Sequence, residues 1–262
     1  MKKTADRPPN LRRAYFESRF GQLHCRTAFP STGGFDELTP LVGLHDAPGS
    51  GASLAPLLPL LGQDRSVYLP DLPGCGQSDG PKAPASVADY ATAVGEMLQG
   101  LRLRQIDVLG VGAGAAIAVE LALWFGPGLR RLVLAQLPAE GVVPATAAVP
   151  DLSGTQLQAD WQAGLGPKPD GAELARQCRV FGERIAGGAA ACWPAAAVGR
   201  WLLRERLALL TVPVLVLERE QASPSAKVVL PAARIDAFGG AGDFSPLQVV
   251  RNVRSLREFL DG

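Results

Sequence analysis

The stretch Ile106-Asp-Val-Leu-Gly-Val-Gly-Ala-Gly-Ala-Ala-Ile-Ala-Val-Glu-Leu-Ala-Leu123 decides the fold. It opens with an apolar run short enough for a buried strand. Gly110, Gly112 and Gly114 then allow a sharp turn, and the small-residue run that follows is long enough for a buried helix. A strand, a tight turn and a helix in that order form the unit of a parallel sheet covered by helices.

Working outward, the same alternation recurs. Ala14–Ser18 and Gln22–Ala28 flank Arg19-Phe-Gly21 as a hairpin. Pro40–His45 and Ser66–Leu69 read as buried strands, with a short helix at Ala52–Leu61 between them. Ser86 and Asp89 have capping-box spacing, and Val87, Tyr90, Ala91, Val94, Met97 and Leu98 share one helical face behind them. Strands are expected again at Arg131–Gln136, Val212–Leu217 and Arg234–Phe238. Ser245-Pro246 opens a last amphipathic helix carrying Val249, Val253, Leu256 and Leu260. The fold class is therefore α/β, with a mainly parallel central sheet flanked by helices.

Between 138 and 210 the strand signal stops. Helices are predicted at Thr155–Ala163, Gly171–Ala186 and Pro194–Leu210, the middle one with the apolar stripe Leu174, Cys178, Phe181 and Ile185. The expectation is a sheet core in two parts, 1–137 and 211–262, with a helical lid over 138–210. Trp161, Phe181, Trp193 and Trp201 either line a cavity under that lid or form its own small core.

Composition narrows the function classes. The 262 residues are 47% hydrophobic with a net charge of +1, which gives no field for nucleic acid or an anionic membrane. The first ten residues lack an apolar signal region and no run is long enough to span a bilayer, so a cytoplasmic protein is expected. Cys25, Cys75, Cys178 and Cys192 have no metal or disulfide spacing. Gly110-x-Gly112-x-x-Ala115 formally matches a dinucleotide fingerprint, but the next strand ends Leu134-Ala-Gln-Leu-Pro138 without the acid that binds ribose. No cofactor and no metal are expected; a small-molecule ligand and a homodimer are.

Five places carry a resemblance to the α/β-hydrolases: Leu44-His45-Asp46, the loop Asp71-Leu-Pro-Gly-Cys-Gly-Gln-Ser-Asp79, the turn Gly110-Val-Gly-Ala-Gly114, Val212-Pro-Val-Leu-Val-Leu217 and Gly240-Ala-Gly-Asp-Phe244. The lid-bearing epoxide hydrolase, C–C hydrolase and haloperoxidase-like branches look nearest. In that family the turn is the nucleophile elbow, G-x-S-x-G. The resemblance puts Gly112 at the nucleophile, about Ala222 at the acid (Glu220 is two residues away) and Asp243 at the base. A histidine-based mechanism needs an imidazole to shuttle the proton. The chain has only His24 and His45, neither where the family places its base.

The oxyanion-hole positions implied are the backbone N–H groups of Ala47 and Ala113, which need no side chain. A helix starting at Ala113 favours an anion there, so a small carbonyl or carboxylate ligand is expected. His45, Asp46 and Asp243 are the candidates for any proton transfer, His45 and Asp71 and Ser78 also being read as loop organisers. Three functions follow: a degenerate hydrolase retaining a ligand pocket, an enzyme of altered mechanism (lyase, isomerase or unusual hydrolase), or an interaction module with a vestigial pocket.

Overall fold

The computed structural model describes residues 7–33, 37–138, 153–163, 170–219, 230, 232–238 and 246–262. Eight strands form one sheet: β1 (Asn10–Ser18), β2 (Gly21–Phe29), β3 (Leu38–Leu44), β4 (Arg65–Pro70), β5 (Ile106–Val111), β6 (Leu129–Ala135), β7 (Val214–Arg219) and β8 (Arg234–Phe238), in the order β1-β2-β4-β3-β5-β6-β7-β8. The β1–β2 and β2–β4 pairs are antiparallel and the other five parallel.

The helices are α1 (Leu58–Leu61), α2 (Val87–Gly100), α3 (Ala113–Phe125), α4 (Thr155–Ala163), α5 (Gly171–Ala186), α6 (Trp193–Val198), α7 (Leu203–Leu207) and α8 (Pro246–Asp261). Each strand's two-residue period divides the core between the two faces of the sheet. Val108, Leu132, Leu134, Val214 and Val216 join the core against α2 and α3. Their neighbours Leu109, Val133, Leu215 and Leu217 join Leu57, Leu61, Leu256 and Leu260 on the opposite face. Strands buried on both faces account for the near-continuous apolar runs of β5 and β6.

The sequence expectations need correction at two helices. Ala52–Leu61 is not one helix but two 3-10 turns, Gly51–Ser53 and Ala55–Leu57, followed by the single turn α1. Pro56 and Pro59 remove the amide donors that a continuous helix requires. Pro194–Leu210 likewise divides into α6 and α7, with Gly199 at the break. The capping box of Ser86 and Asp89 forms as expected, both of its hydrogen bonds being present. Ser245 lies outside the described residues.

The described part of the segment between β6 and β7 is helical and rests on the α2–α3 face. Glu120 of α3, almost wholly buried, accepts from Trp201 Nε1 at 2.7 Å and from Arg206 Nε and Nη2 at 2.6 and 2.7 Å. Trp193 and Trp201 pack on the sheet core, whereas Trp161 meets Phe181 edge-on at 5.3 Å. The stripe expected on α5 is not its buried face: Leu174, Cys178 and Ile185 are exposed. Polar residues hold the helix instead. Glu183 accepts from both Arg26 of β2 and Ser50, and the buried Gln177 donates to the Trp161 carbonyl.

Candidate functional site at the elbow

The site lies where parallel strands β3 and β5 end side by side, with Leu44 opposite Gly110. The chain leaves β5 through Gly112 at φ +58° and ψ −122° and enters α3 at once. Glycine suits that backbone because a side chain at positive φ is sterically strained. The turn must also be small. A Cβ on Gly110 would lie 2.5 Å from the Gly114 carbonyl oxygen, and one on Gly114 would meet the backbone of Leu44 and His45.

The backbone N–H groups of Ala47 and Ala113 converge on one point, and that point is already occupied. Asp46 Oδ1 accepts from Ala47 N at 2.8 Å and from Ala113 N at 2.7 Å. Asp46 thereby supplies the anionic cap at the start of α3, which Gly112 cannot provide. The carboxylate also fills the space of an elbow side chain. A Cβ built on Gly112 would overlap Asp46 Oδ1 and Cγ and lie 2.6 Å from Oδ2. Glycine at the elbow and aspartate beside the hole are therefore one steric arrangement.

Asp46 remains open to solvent on one side, and Oδ2 has no hydrogen-bond partner among the described residues. Desolvation by the protein packed around its other sides raises its carboxyl above the ordinary carboxylate value, against the two N–H donations and the nearby Arg184, which lower it. Arg184 itself pairs with Asp160 at 3.3 Å.

His45 is fully buried, and both ring nitrogens are engaged by backbone. Nδ1 lies 2.7 Å from the Asp46 carbonyl, and Nε2 accepts from Leu72 N at 2.8 Å. Those partners require the neutral tautomer protonated on Nδ1. Burial agrees, pushing its pKa down. The expectation of His45 as a proton-transfer group is corrected on this geometry: it has no free nitrogen with which to exchange a proton, and it ties the loop after β3 to the loop after β4.

The second histidine is engaged through one ring nitrogen only, its Nε2 being buried with no hydrogen-bond partner among the described residues. His24 Nδ1 lies 2.9 Å from Asp71 Oδ2, and Asp71 also accepts from Gly51 N at 2.7 Å and Gln77 N at 3.0 Å. Ser78 Oγ donates to the Asp71 carbonyl and accepts from His24 N. Asp71 and Ser78 thus hold the loop 71–79 against the hairpin. Cys75 is buried and its thiol is pushed far up by desolvation, so it carries no thiolate.

Asp243, Ala222 and Glu220 lie outside the described residues. Residues that the sequence reading missed are Ser50, Arg26 and Glu183, which tie α5 to the loop containing Asp46. Arg26 and Glu183 are 157 positions apart, and no local pattern pairs them. Among the described residues, no group of three or more His, Cys, Asp or Glu could hold a metal ion.

The comparisons agree with this architecture. The family model for the alpha/beta hydrolase fold matches residues 39–170, and the chain belongs to that family. A poly(3-hydroxyalkanoate) depolymerase of Ectopseudomonas oleovorans is 34% identical over 113 residues, 42% of this chain and 39% of that protein. The chain spans about a fifth to two fifths of the length of the curated relatives it matches. The enol-lactonase from Burkholderia xenovorans LB400 superposes with a TM-score of 0.76 at 18% identity, covering 95% of this chain and all of that one. A glycine-for-serine mutant of an N-acyl homoserine lactonase, complexed with N-hexanoyl homoserine lactone, gives 0.67 at 22% identity over 94% and 98% of the two chains.

Proposed function

We propose that this α/β-hydrolase family member is a degenerate hydrolase that binds a small ligand at the elbow without hydrolysing it, the helical segment between β6 and β7 serving as its lid. One observation carries the reading: the N–H pair expected to stabilise an oxyanion is occupied by Asp46 Oδ1, beside an elbow residue with no side chain. Acyl transfer needs donors free for the charge that develops. Here those donors already hold Asp46 Oδ1. An external carbonyl or carboxylate, the ligand expected from the sequence, reaches them only by expelling Asp46. The lactonase mutant with glycine in place of one serine, solved in complex with N-hexanoyl homoserine lactone, is a case of a ligand held by a similar fold after a serine is lost.

A second reading has its own support. The Asp46 carboxyl group lies where an elbow side chain would stand, with Oδ2 left without a partner among the described residues, so it is placed to act as a base in an altered mechanism. The two readings separate on turnover. Activated esters, an epoxide and a C–C cleavage substrate are offered to the wild type and to Asp46→Asn, with folding checked by circular dichroism. No turnover above background is expected from either protein. Turnover by the wild type that disappears in the variant would replace the binding reading by the enzymatic one.

A further inference from the structure

We infer that the ligand of this site presents a hydrogen-bond donor or cationic head, an alcohol or a primary ammonium, to Asp46 Oδ2, and does not bring a carboxylate to the backbone N–H pair. The inference rests on the ligand-binding reading and names the class of molecule bound.

Three observations carry it. The first is the filled hole. Oδ1 accepts two backbone donors at 2.7 and 2.8 Å, one of them the first N–H of α3. Charge-assisted hydrogen bonds of this length at a helix start are strong. An incoming oxyanion must break both before it gains either.

The second is the free oxygen. Oδ2 has acceptor capacity and no partner among the described residues, on a side chain open to solvent. Gly112 contributes no atoms beyond its backbone, so nothing from the elbow covers Oδ2.

The third is the balance of charge around it. His45 is held neutral by its two backbone partners. Glu183 is engaged by Arg26 and Ser50, and Arg184 by Asp160. Asp46 is the acidic group near the elbow that has no side-chain ion pair among the described residues. A cation or donor satisfies it, and a second carboxylate repels it.

The test uses a matched six-carbon series, hexylammonium, 1-hexanol and hexanoate, titrated by calorimetry into the wild type and Asp46→Asn. The amide keeps an oxygen for the two N–H groups, so the turn is preserved while the charge is removed; thermal melts verify this. Hexylammonium is expected to bind the wild type at least about tenfold more tightly than hexanoate, and to lose about that factor in the variant. Hexanoate binding as tightly as hexylammonium, or hexylammonium binding unchanged in Asp46→Asn, overturns the inference and leaves the ligand-binding reading standing. Failure of all three to bind the folded wild type removes that reading, and the inference with it.

Discussion

Asp46 and Asp71 follow the ends of neighbouring parallel strands, and the protein uses them in opposite ways. Asp71 is fully buried and held on both oxygens: His24, Gly51 N and Gln77 N all reach its carboxylate. Burial alone pushes its carboxyl up, but the hydrogen bonds from His24, Gln77 and Gly51 outweigh that and hold it below the ordinary value. Asp46 has one oxygen satisfied and one open, and for it desolvation wins. The same residue type is thus a structural pin when both its oxygens are engaged inside the fold. It faces solvent when one oxygen is left over, as in Asp46.

The comparison breaks most visibly at Asp71. Asp71→Ala strands two backbone N–H groups and a buried imidazole together. Removing one member of a buried charged network costs about 3–5 kcal/mol, so urea unfolding is expected to show a large drop or loss of the folded state. A change under about 1 kcal/mol would mean that the loop is held by something else. Glu120→Ala is expected to cost less, about 2–3 kcal/mol, because the Arg206 side chain that it leaves behind still reaches solvent. Its specific signature is faster amide exchange across α6 and α7 with β5 unchanged. Exchange rising equally in both would make Glu120 a general core residue and not an anchor of the helical segment.

Gly112→Ser tests the steric link between elbow and plug. The new side chain enters at φ +58° and overlaps the Asp46 carboxylate. A cost of about 1–3 kcal/mol is expected from backbone strain and crowding, with no esterase activity gained. Adding Asp46→Gly should recover part of that loss, a coupling that a double-mutant cycle on melting curves detects. Strict additivity would show that the two positions do not share space.

These contrasts explain what was legible in the sequence. The strand–turn–helix units, the hairpin and the capping box were readable because apolar period and glycine placement are local signals. The helix breaks at Pro56, Pro59 and Gly199 were present as residues but were outweighed by the apolar patterns around them. At the site, the glycine that stands where the resemblance puts the nucleophile, Gly112, was visible directly. The direction of the Asp46 carboxylate did not show, because it depends on two N–H groups 66 positions apart meeting at one point (Ala47 and Ala113). The Arg26–Glu183–Ser50 link was hidden for the same reason. His45 was ambiguous because a histidine in a loop becomes a scaffold or a proton carrier only through its neighbours.

The smallest expected effect is also the one that separates the two aspartates by sign. A carboxyl whose pKa is lowered on folding adds stability above its unfolded value, near 3.8, and loses it as pH falls through the folded value. Asp71 is of this kind, and its contribution disappears in acid. A carboxyl whose pKa is raised on folding binds the proton more tightly in the native state. Its contribution is complete below 3.8 and declines as pH rises through the folded value. Asp46 is of that kind. Asp46→Asn removes the decline, so the difference in stability between variant and wild type should move in the variant's favour as pH rises from about 3.5 through the raised value. Urea unfolding across that range reads the difference directly, and the Asp71 slope is common to both proteins and cancels. A difference that moves the other way would mean that the two N–H donations outweigh desolvation, and that Asp46, like Asp71, is a pin.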